Sequence, residues 1–453
     1  MATKVKSGFR EKIKRILRPV IYRIPNSLRY GKYYRDFYKK IDDFYNLDIN
    51  EKRKLQLKKL QEIVEYAYFH VPYYRELFDK NNISYKIDSF EDFEKIPYLT
   101  KDIIRKNLEK LKSDEKIESV KLTTGGTTGM PMEFYLDKKI NINELAFVDY
   151  YWNKFSSEYK NNKKIAILRG NLPKNGKKFE KIGNNIIMSS FELTKSNTNE
   201  YLKILKEFNP DYLHIYPSSL SLIAEFILEN KINIKLKNLK GIFSSSETLR
   251  ESQRVKIEEA FKVKICDLYG HSERVVIAFD NIQGKKYNLD LLYGYTEIIN
   301  EVDENIILEN EKIGEIVATG FWNKSMPLIR YKTGDNAVTN GEYNSLKNIF
   351  GRKSEYFIDK DFNKVIFLWA DEPFWNCKEK VDAYQYIQNK AGESILKIIK
   401  SQNNILTIDD EKGIKKELGR LYPNINFKIE YVSKIERTNR GKYKYLIQNI
   451  KEV

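Results

Sequence analysis

Thr123-Thr124-Gly125-Gly126-Thr127-Thr128-Gly129-Met130-Pro131 (TTGGTTGMP, 123–131) is the stretch from which the rest of the chain is read. Three glycines let backbone amides approach a ligand closely, and four threonine hydroxyls add donors. A loop of this make-up suits phosphate oxygens. It is not a Walker A loop, because no Gly-Lys-Ser/Thr ends it. A polar surface turn is the competing reading, and nine residues with one apolar member between β-like segments argue against it.

Outward from the loop, from about 115 to 335, short β-rich runs alternate with helical ones. KIAILRG (164–170), YLHIY (212–216), LKGIFSSSE (239–247) and KICDLYG (264–270) read as strands. YLKILKEF (201–208), SLIAEFILEN (221–230) and SQRVKIEEAFK (252–262) read as helices. Such alternation means α/β units. After 285 the pattern changes to short strands (YGYTEII, IILE, EIVATGF, LIRYKTGD), which predicts a strand-rich subdomain. A turn-rich stretch at 339–352 follows, and the last hundred residues mix strands and helices. Upstream, residues 51–80 read as a helix with Leu57, Leu60, Ile63, Val64 and Ala67 at helical spacing, ended near Pro72.

The chain has 453 residues, 41% hydrophobic and 32% charged, which excludes a disordered chain. No apolar run approaches the ~20 residues of a membrane span. No signal peptide is visible, because Arg18 and Pro19 interrupt the first apolar cluster. Two cysteines, Cys266 and Cys377, exclude a disulfide-built scaffold and favour a cytoplasmic setting. Three scattered histidines supply no zinc site. The net charge of +17 is uneven: residues 1–40 hold 13 Lys/Arg against two acidic residues, a net +11, which leaves +6 for the other 413. Within this basic arm Phe9, Ile13, Ile16, Leu17, Val20 and Ile21 share one helical stripe. It docks on its own domain or touches an anionic membrane surface; without a recognition motif, nucleic acid is not expected as a partner.

Four further motifs follow the loop in order. They are Leu268-Tyr269-Gly270-His271-Ser272-Glu273, Arg330-Tyr331-Lys332-Thr333-Gly334-Asp335, Gly351-Arg352-Lys353-Ser354-Glu355 and Arg437-Thr438-Asn439-Arg440-Gly441-Lys442. With the loop, they resemble the signatures of the adenylate-forming (ANL) superfamily, the acyl-CoA synthetases, aryl-acid ligases and their relatives. SLRYGKYYRDFYKKI (27–41), AYFHVPYYRELF (67–78) and FEKIPYLTKDIIRKN (93–107) are similar to the phenylacetate–CoA ligase-like branch. Within that branch they resemble the group associated with capsule and other surface-polysaccharide biosynthesis.

The resemblance implies an α/β protein: a large, multi-subdomain N-terminal adenylate-forming domain and a small α+β C-terminal lid. The expected divisions are a basic arm (1–40), an AMP-binding domain (41–352) and the lid (353–453), with the ATP and acyl sites in the cleft between the last two. It implies ATP- and Mg²⁺-dependent conversion of a carboxylic acid to an acyl-adenylate, with release of pyrophosphate, then transfer to a thiol such as coenzyme A or to an amine such as an amino sugar. Thr123, Thr124, Gly125, Gly126, Thr127, Thr128 and Gly129 would hold the β- and γ-phosphates, with Thr127 in the catalytic set. Glu273 would be the Mg²⁺ ligand, a hard cation preferring carboxylate oxygen. Tyr269, with Gly270 and Ser272 in its motif, would sit against adenine, and Asp335 would accept from the ribose hydroxyls. Ser246 and Glu247 would form the adenine-side turn, and Arg352 would contact ribose or phosphate. Lys442 would be the mobile cation between carboxylate and α-phosphate. Arg330 would support the carboxylate or phosphate side. His271 would line the acyl pocket or pack beside it; His214 would be a core residue or face the acyl group. A Ser272/His271 nucleophile lacks a third orienting group.

The segment after 355 lacks the Gly-containing stretch of many thioester-forming relatives, so the thiol and the amine both remain open as acceptors. A non-catalytic membrane- or nucleic-acid-binding protein on this scaffold would be expected to lose part of the set Thr127, Thr128, Glu273, Asp335 and Lys442. A glycosyltransferase would need a metal-binding Asp-x-Asp, which the chain is read as lacking.

Overall fold

A computed structural model describes residues 20–21, 23–124, 131–159, 162–170, 177–280, 286–300, 303–352, 356–367, 372–374, 377, 380–401, 404–436 and 445–450. The chain divides into two compact units, Met1–Phe350 and Gly351–Val453. Most of the arm's apolar stripe lies outside the described residues; Val20 is exposed. No helix among the described residues is long and apolar enough to cross a membrane.

The first unit begins with helices α1 (Asn26–Arg29), α2 (Gly31–Tyr45), α3 (Ile49–His70) and α4 (Pro72–Asn81). Asp48 caps α3 through a capping box with Glu51. Val71, extended before Pro72, ends α3, and Pro72 starts α4 at the position where a missing N–H costs nothing. The helix read from residue 51 thus ends near Pro72, as expected, and the rest of the stretch to 80 forms a second helix. Leu60, Ile63, Val64 and Ala67 of α3 are buried as read, and Gln56 is buried beside them. Next come α5 (Phe90–Glu94), α6 (Lys101–Asn107), a hairpin of β1 (Ser119–Thr123) and β2 (Glu133–Asp137), and α7 (Ile140–Phe155).

The α/β run then supplies β3 (Ile165–Arg169), β4 (Phe179–Ile182), β5 (Asn185–Ser189), α8 (Thr198–Phe208), β6 (Tyr212–Ile215), α9 (Pro217–Glu229), β7 (Gly241–Ser245), α10 (Glu251–Phe261) and β8 (Ile265–Gly270). Strands β5, β3, β6, β7 and β8 are parallel neighbours. Helices cover both faces, so the strands read as near-continuous apolar runs. On one face Leu168, Leu213, Ile242 and Ile265 pack with α8, α9 and α10. On the other, Ile165, Tyr212, Phe243 and Cys266 pack with α2 and α7, and Trp152 stacks on Phe243 with ring centroids 4.0 Å apart. Burial pushes the Cys266 thiol well above its ordinary range, which makes it an inert core residue.

The strands after 275 do not form a separate sheet. They are β9 (Ile277–Asp280), β10 (Tyr287–Leu289), β11 (Gly294–Ile299), β12 (Asn310–Gly320), β13 (Tyr331–Asn340) and β14 (Ser345–Arg352). They continue the parallel strands as one twelve-stranded sheet in the order β11-β12-β13-β14-β10-β9-β8-β7-β6-β3-β5-β4. This sheet curls back on itself. Gly294 and Gly320, paired across β11 and β12, lie against the chain just after β8. A Cβ on Gly294 would stand 2.5 Å from the Val275 carbonyl, and one on Gly320 would stand 2.6 Å from that of Arg274. Gln56 Nε2 donates to the Gly294 carbonyl at 2.8 Å and ties α3 to the closure.

Arg330 departs from its expected role. Its guanidinium is buried, donates to Glu297 at 2.6 Å and to the Glu94 and Ile96 carbonyls, and lies over Tyr98. These partners commit it to fastening residues 94–99 onto β11, so it is a structural residue and not a substrate contact.

The second unit has a hairpin of β15 (Tyr356–Ile358) and β16 (Lys364–Ile366), then β17 (Val381–Lys390), β18 (Glu393–Lys400), α11 (Ile408–Leu421), β19 (Asn426–Tyr431) and β20 (Leu446–Gln448). Its sheet order is β19-β18-β17-β20, around a core that includes Phe357, Tyr386, Leu396 and Leu418. The chain does hold an Asp-x-Asp, Asp359-Lys360-Asp361. Asp359 Oδ1 accepts from the amides of Asp361 at 2.9 Å and Asn363 at 2.8 Å, so the motif builds a turn.

Gly320→Ala should destabilise the first unit by about 1–3 kcal/mol, since the backbone it meets cannot step aside as a side chain would. A lowered urea midpoint at unchanged m-value is the expected reading.

Candidate active site

Two irregularities bring the motifs of the first unit together. Strand β8 ends at Tyr269-Gly270, and the turn His271–Arg274 reverses the chain into antiparallel β9. Arg274, at φ +60°, closes that turn through its amide on the His271 carbonyl. Strand β13 carries a bulge opposite Glu315–Val317, spanning Thr333-Gly334-Asp335. Gly334 takes φ +77°, where glycine is at home, and its amide donates to Glu315 Oε1 at 3.2 Å. Thr333 Oγ1 donates to the Ile316 carbonyl and accepts from the Asp335 amide. A bulge re-aims side chains. This one turns Asp335 toward β8.

There Tyr269 Oη donates to Asp335 Oδ2 at 3.0 Å, and His271 Nε2 donates to the same oxygen at 2.8 Å. The Tyr269 oxygen and His271 Nε2 are 2.6 Å apart. Burial, then the Asp335 charge, holds the Tyr269 phenol well above its usual range, so it is a neutral donor. His271 Nδ1 is buried and has no partner among the described residues. His271 is thus a partner of Asp335, a contact its motif position does not disclose.

Glu273 is buried, and its Oε1 accepts from Tyr331 Oη at 3.1 Å. The Tyr331 hydroxyl also lies 4.0 Å from Met132 Sδ. Met132 sits at the foot of the 123–131 loop: its amide donates to Thr124 Oγ1 at 3.0 Å, and its carbonyl accepts from the Thr124 amide at 2.8 Å. The base of the loop, the Glu273 motif and the Asp335 motif therefore meet through Met132 and Tyr331. Tyr331 lies inside one of the motifs and Met132 directly follows another, but neither was assigned a role in the site from the sequence.

Thr123 pairs with Glu133 at the end of β1. Gly270 ends β8, where an added Cβ would meet only ordinary contacts, and Ser272 is exposed. Ser246, at φ +70°, follows β7 and accepts from Arg169 Nη2 at 2.9 Å. Glu247 Oε2 accepts from the Ser218 amide at 3.1 Å, at the N-terminus of α9, where a carboxylate is favoured. His214 lies under Trp152, with Nε2 2.7 Å from Arg169 Nη1 and 3.4 Å from Ser245 Oγ. Burial and Arg169 drive its pKa well below the ordinary histidine value. Gly125, Gly126, Thr127, Thr128, Gly129, the Arg352 side chain and Lys442 lie outside the described residues.

The fold and this convergence are of the class expected for an adenylate-forming ligase, and the comparisons with known proteins point the same way. The family model of the CapK C-terminal domain matches residues 357–449. Protein CapK of Staphylococcus aureus is 29% identical over 442 residues, covering 93% of this chain and 94% of that one. The phenylacetate–coenzyme A ligase of Escherichia coli is 24% identical over 399 residues, covering 82% and 88%. Among solved structures, 2-hydroxyisobutyryl-CoA ligase in the postadenylation state, in complex with an acyl-AMP, superposes with a TM-score of 0.68 at 18% identity, covering 89% and 90%. That likeness bears out the fold. Protein CapK and phenylacetate–coenzyme A ligases are thus homologues of this chain, and the fold is that of the adenylate-forming CoA ligases.

Asp335→Asn keeps the shape of the side chain and removes the charge that gathers Tyr269 and His271. Hydrogen bonds to charged groups are worth about 1.5–3 kcal/mol. The KM for ATP should rise roughly tenfold or more while the near-UV circular dichroism of the protein is retained.

Proposed function

We propose that this chain uses ATP and Mg²⁺ to activate a carboxylic acid as its acyl-adenylate, and then passes the acyl group to coenzyme A or to an amine during surface-polysaccharide biosynthesis. The observation that carries the reading is the meeting of the loop base, Glu273 and the Tyr269–His271–Asp335 cluster. A carboxylate is a poor electrophile at neutral pH. Attack of its oxygen on the α-phosphorus, with departure of pyrophosphate, gives a mixed anhydride that thiols and amines can open. The protein's tasks are to hold a polyanion, offset developing charge and align the acid.

In this reading Thr123, Thr124 and the loop from Gly125 to Gly129, Thr127 and Thr128 included, grip the β- and γ-phosphates. Asp335 accepts from the ribose hydroxyls and is held in place by Tyr269 and His271. Tyr269, Ser246 and Glu247 flank adenine, and Arg352 meets ribose or phosphate. Glu273, steadied by the Tyr331 hydroxyl, suits Mg²⁺, which binds one or two carboxylates and takes its other ligands from phosphate and water. Lys442 bridges the carboxylate and the α-phosphate. The polysaccharide setting is supported by the similarity to CapK along nearly the whole chain.

The test is pyrophosphate release with ATP, Mg²⁺ and a broad panel of carboxylic acids, with hydroxylamine as trapping nucleophile. Acid-dependent pyrophosphate and a hydroxamate product are expected; their absence across the panel would sink the ligase reading. Running the trapped reaction with coenzyme A or amino sugars in place of hydroxylamine distinguishes the acceptors.

Lys442→Ala should reduce adenylation by at least a hundredfold yet spare transfer from a supplied acyl-adenylate. Equal loss of both half-reactions would contradict the role given to Lys442.

A further inference from the structure

Arg254, Arg274 and Arg330 are buried or nearly so, and each is paired with a carboxylate: Asp280, Glu144 and Glu297. Arg169, the last residue of β3, differs from them. Burial lowers its pKa from the ordinary arginine value, yet it makes no ion pair with any described residue. Its polar contacts are neutral. Nη1 donates to His214 Nε2 at 2.7 Å, Nη2 donates to Ser246 Oγ at 2.9 Å, and the Tyr216 ring centroid lies 5.7 Å from the guanidinium carbon. Arginine stays protonated, so His214 Nε2 must be the acceptor and cannot carry a compensating charge. Glu247, on the same turn as Ser246, acts on Arg169 through its charge but is not an ion-pair partner of it, and its Oε2 accepts from the Ser218 amide. The His214 and Ser246 contacts use two of the five guanidinium donors. Burying a cation without a direct ion-pair partner is costly, and a carboxylate at a distance offsets only part of that cost. A ligand anion would offset that cost.

The position says which ligand. Parallel strands in an open α/β sheet place their ligands beyond their carboxyl ends. Arg169, Ser245 and Gly270 end β3, β7 and β8 along one edge. Asp335, Tyr269 and Glu273 stand at the β8 end of that edge. Arg169 starts three strands away, and its side chain leans back past His214 on β6 to Ser246 beyond β7. At about 4.8 Å per strand, the guanidinium stands some 5–10 Å along the edge from the β8 residues. That offset is the length of a short carbon chain.

We propose that Arg169, oriented by His214 and Ser246, binds a second carboxylate on the acid that this protein activates, so that its substrate is a short dicarboxylic acid. The inference rests on the adenylation reading. One carboxylate oxygen bonds to the α-phosphorus, and pyrophosphate leaves with the electron pair of the broken P–O bond. The other carboxylate stays intact, held by the planar guanidinium, whose remaining N–H groups match its two oxygens.

The experiment compares unbranched dicarboxylic acids of three to six carbons with the monocarboxylic acid and the half-amide of each length, by acid-dependent pyrophosphate release. The wild-type protein should favour one dicarboxylic acid over its monocarboxylic and half-amide counterparts by at least tenfold in kcat/KM. Arg169→Gln should lower that ratio at least tenfold, and Arg169→Lys should restore part of it. Equal or better turnover of the monocarboxylic acids by the wild-type protein would overturn the inference and leave adenylation standing. So would an Arg169→Gln effect that is the same on both classes. No acid-dependent pyrophosphate with any acid would overturn the adenylation reading itself, and this inference with it.

Discussion

Asp335 Oδ2 accepts from two side chains that arrive on a strand four places away in the sheet. In a flat sheet β8 and β13 would be roughly 19 Å apart at ~4.8 Å per strand. The contact exists only because the sheet curls, and the curl exists only because two facing glycines, Gly294 and Gly320, let β11 and β12 lie on the backbone that follows β8. The β13 bulge then supplies the last adjustment of direction. Site geometry is thus set by a steric allowance in one place and a backbone irregularity in another, neither of which touches a ligand.

The parallel half of the fold was legible because both faces of its strands are buried. Apolar runs such as KIAILRG and YLHIY, alternating with amphipathic helices, leave little choice of architecture. The curl was not legible. Strands after 285 read as a subdomain because local pattern reports that a segment is extended and says nothing of its partner; β10 pairs with β14 across more than fifty residues. The site was legible as a set of motifs and not as a set of contacts. His271 on Asp335, and Tyr331 between Glu273 and Met132, are tertiary facts without a sequence period.

The two arginines show what a motif does and does not disclose. Arg330 was singled out because it adjoins a motif. It has φ +49°, and that turn of the backbone just before β13 sends its side chain back to Glu297. Arg169 was passed over because it ends an apolar strand with no motif beside it. A signal was nonetheless present: an arginine closes a run as apolar as IAIL, in a strand flanked by strands on both sides, so its stem lies among core residues. Burial of a charge is the feature on which the proposal for Arg169 is built.

Buried charges without a direct ion-pair partner are destabilising, and folds keep them where function compensates. Arg254 and Arg330 show that this chain satisfies buried guanidinium groups with carboxylates when only the fold is at stake. His214 offers Arg169 a lone pair and no charge, and its own pKa is driven down by that neighbour. A carboxylate at position 214 would have stabilised Arg169 and closed the site to an anion. The histidine holds the guanidinium in place without forming an ion pair with it, and Glu247 acts on it only from a distance, which is the arrangement the proposed anion subsite would need.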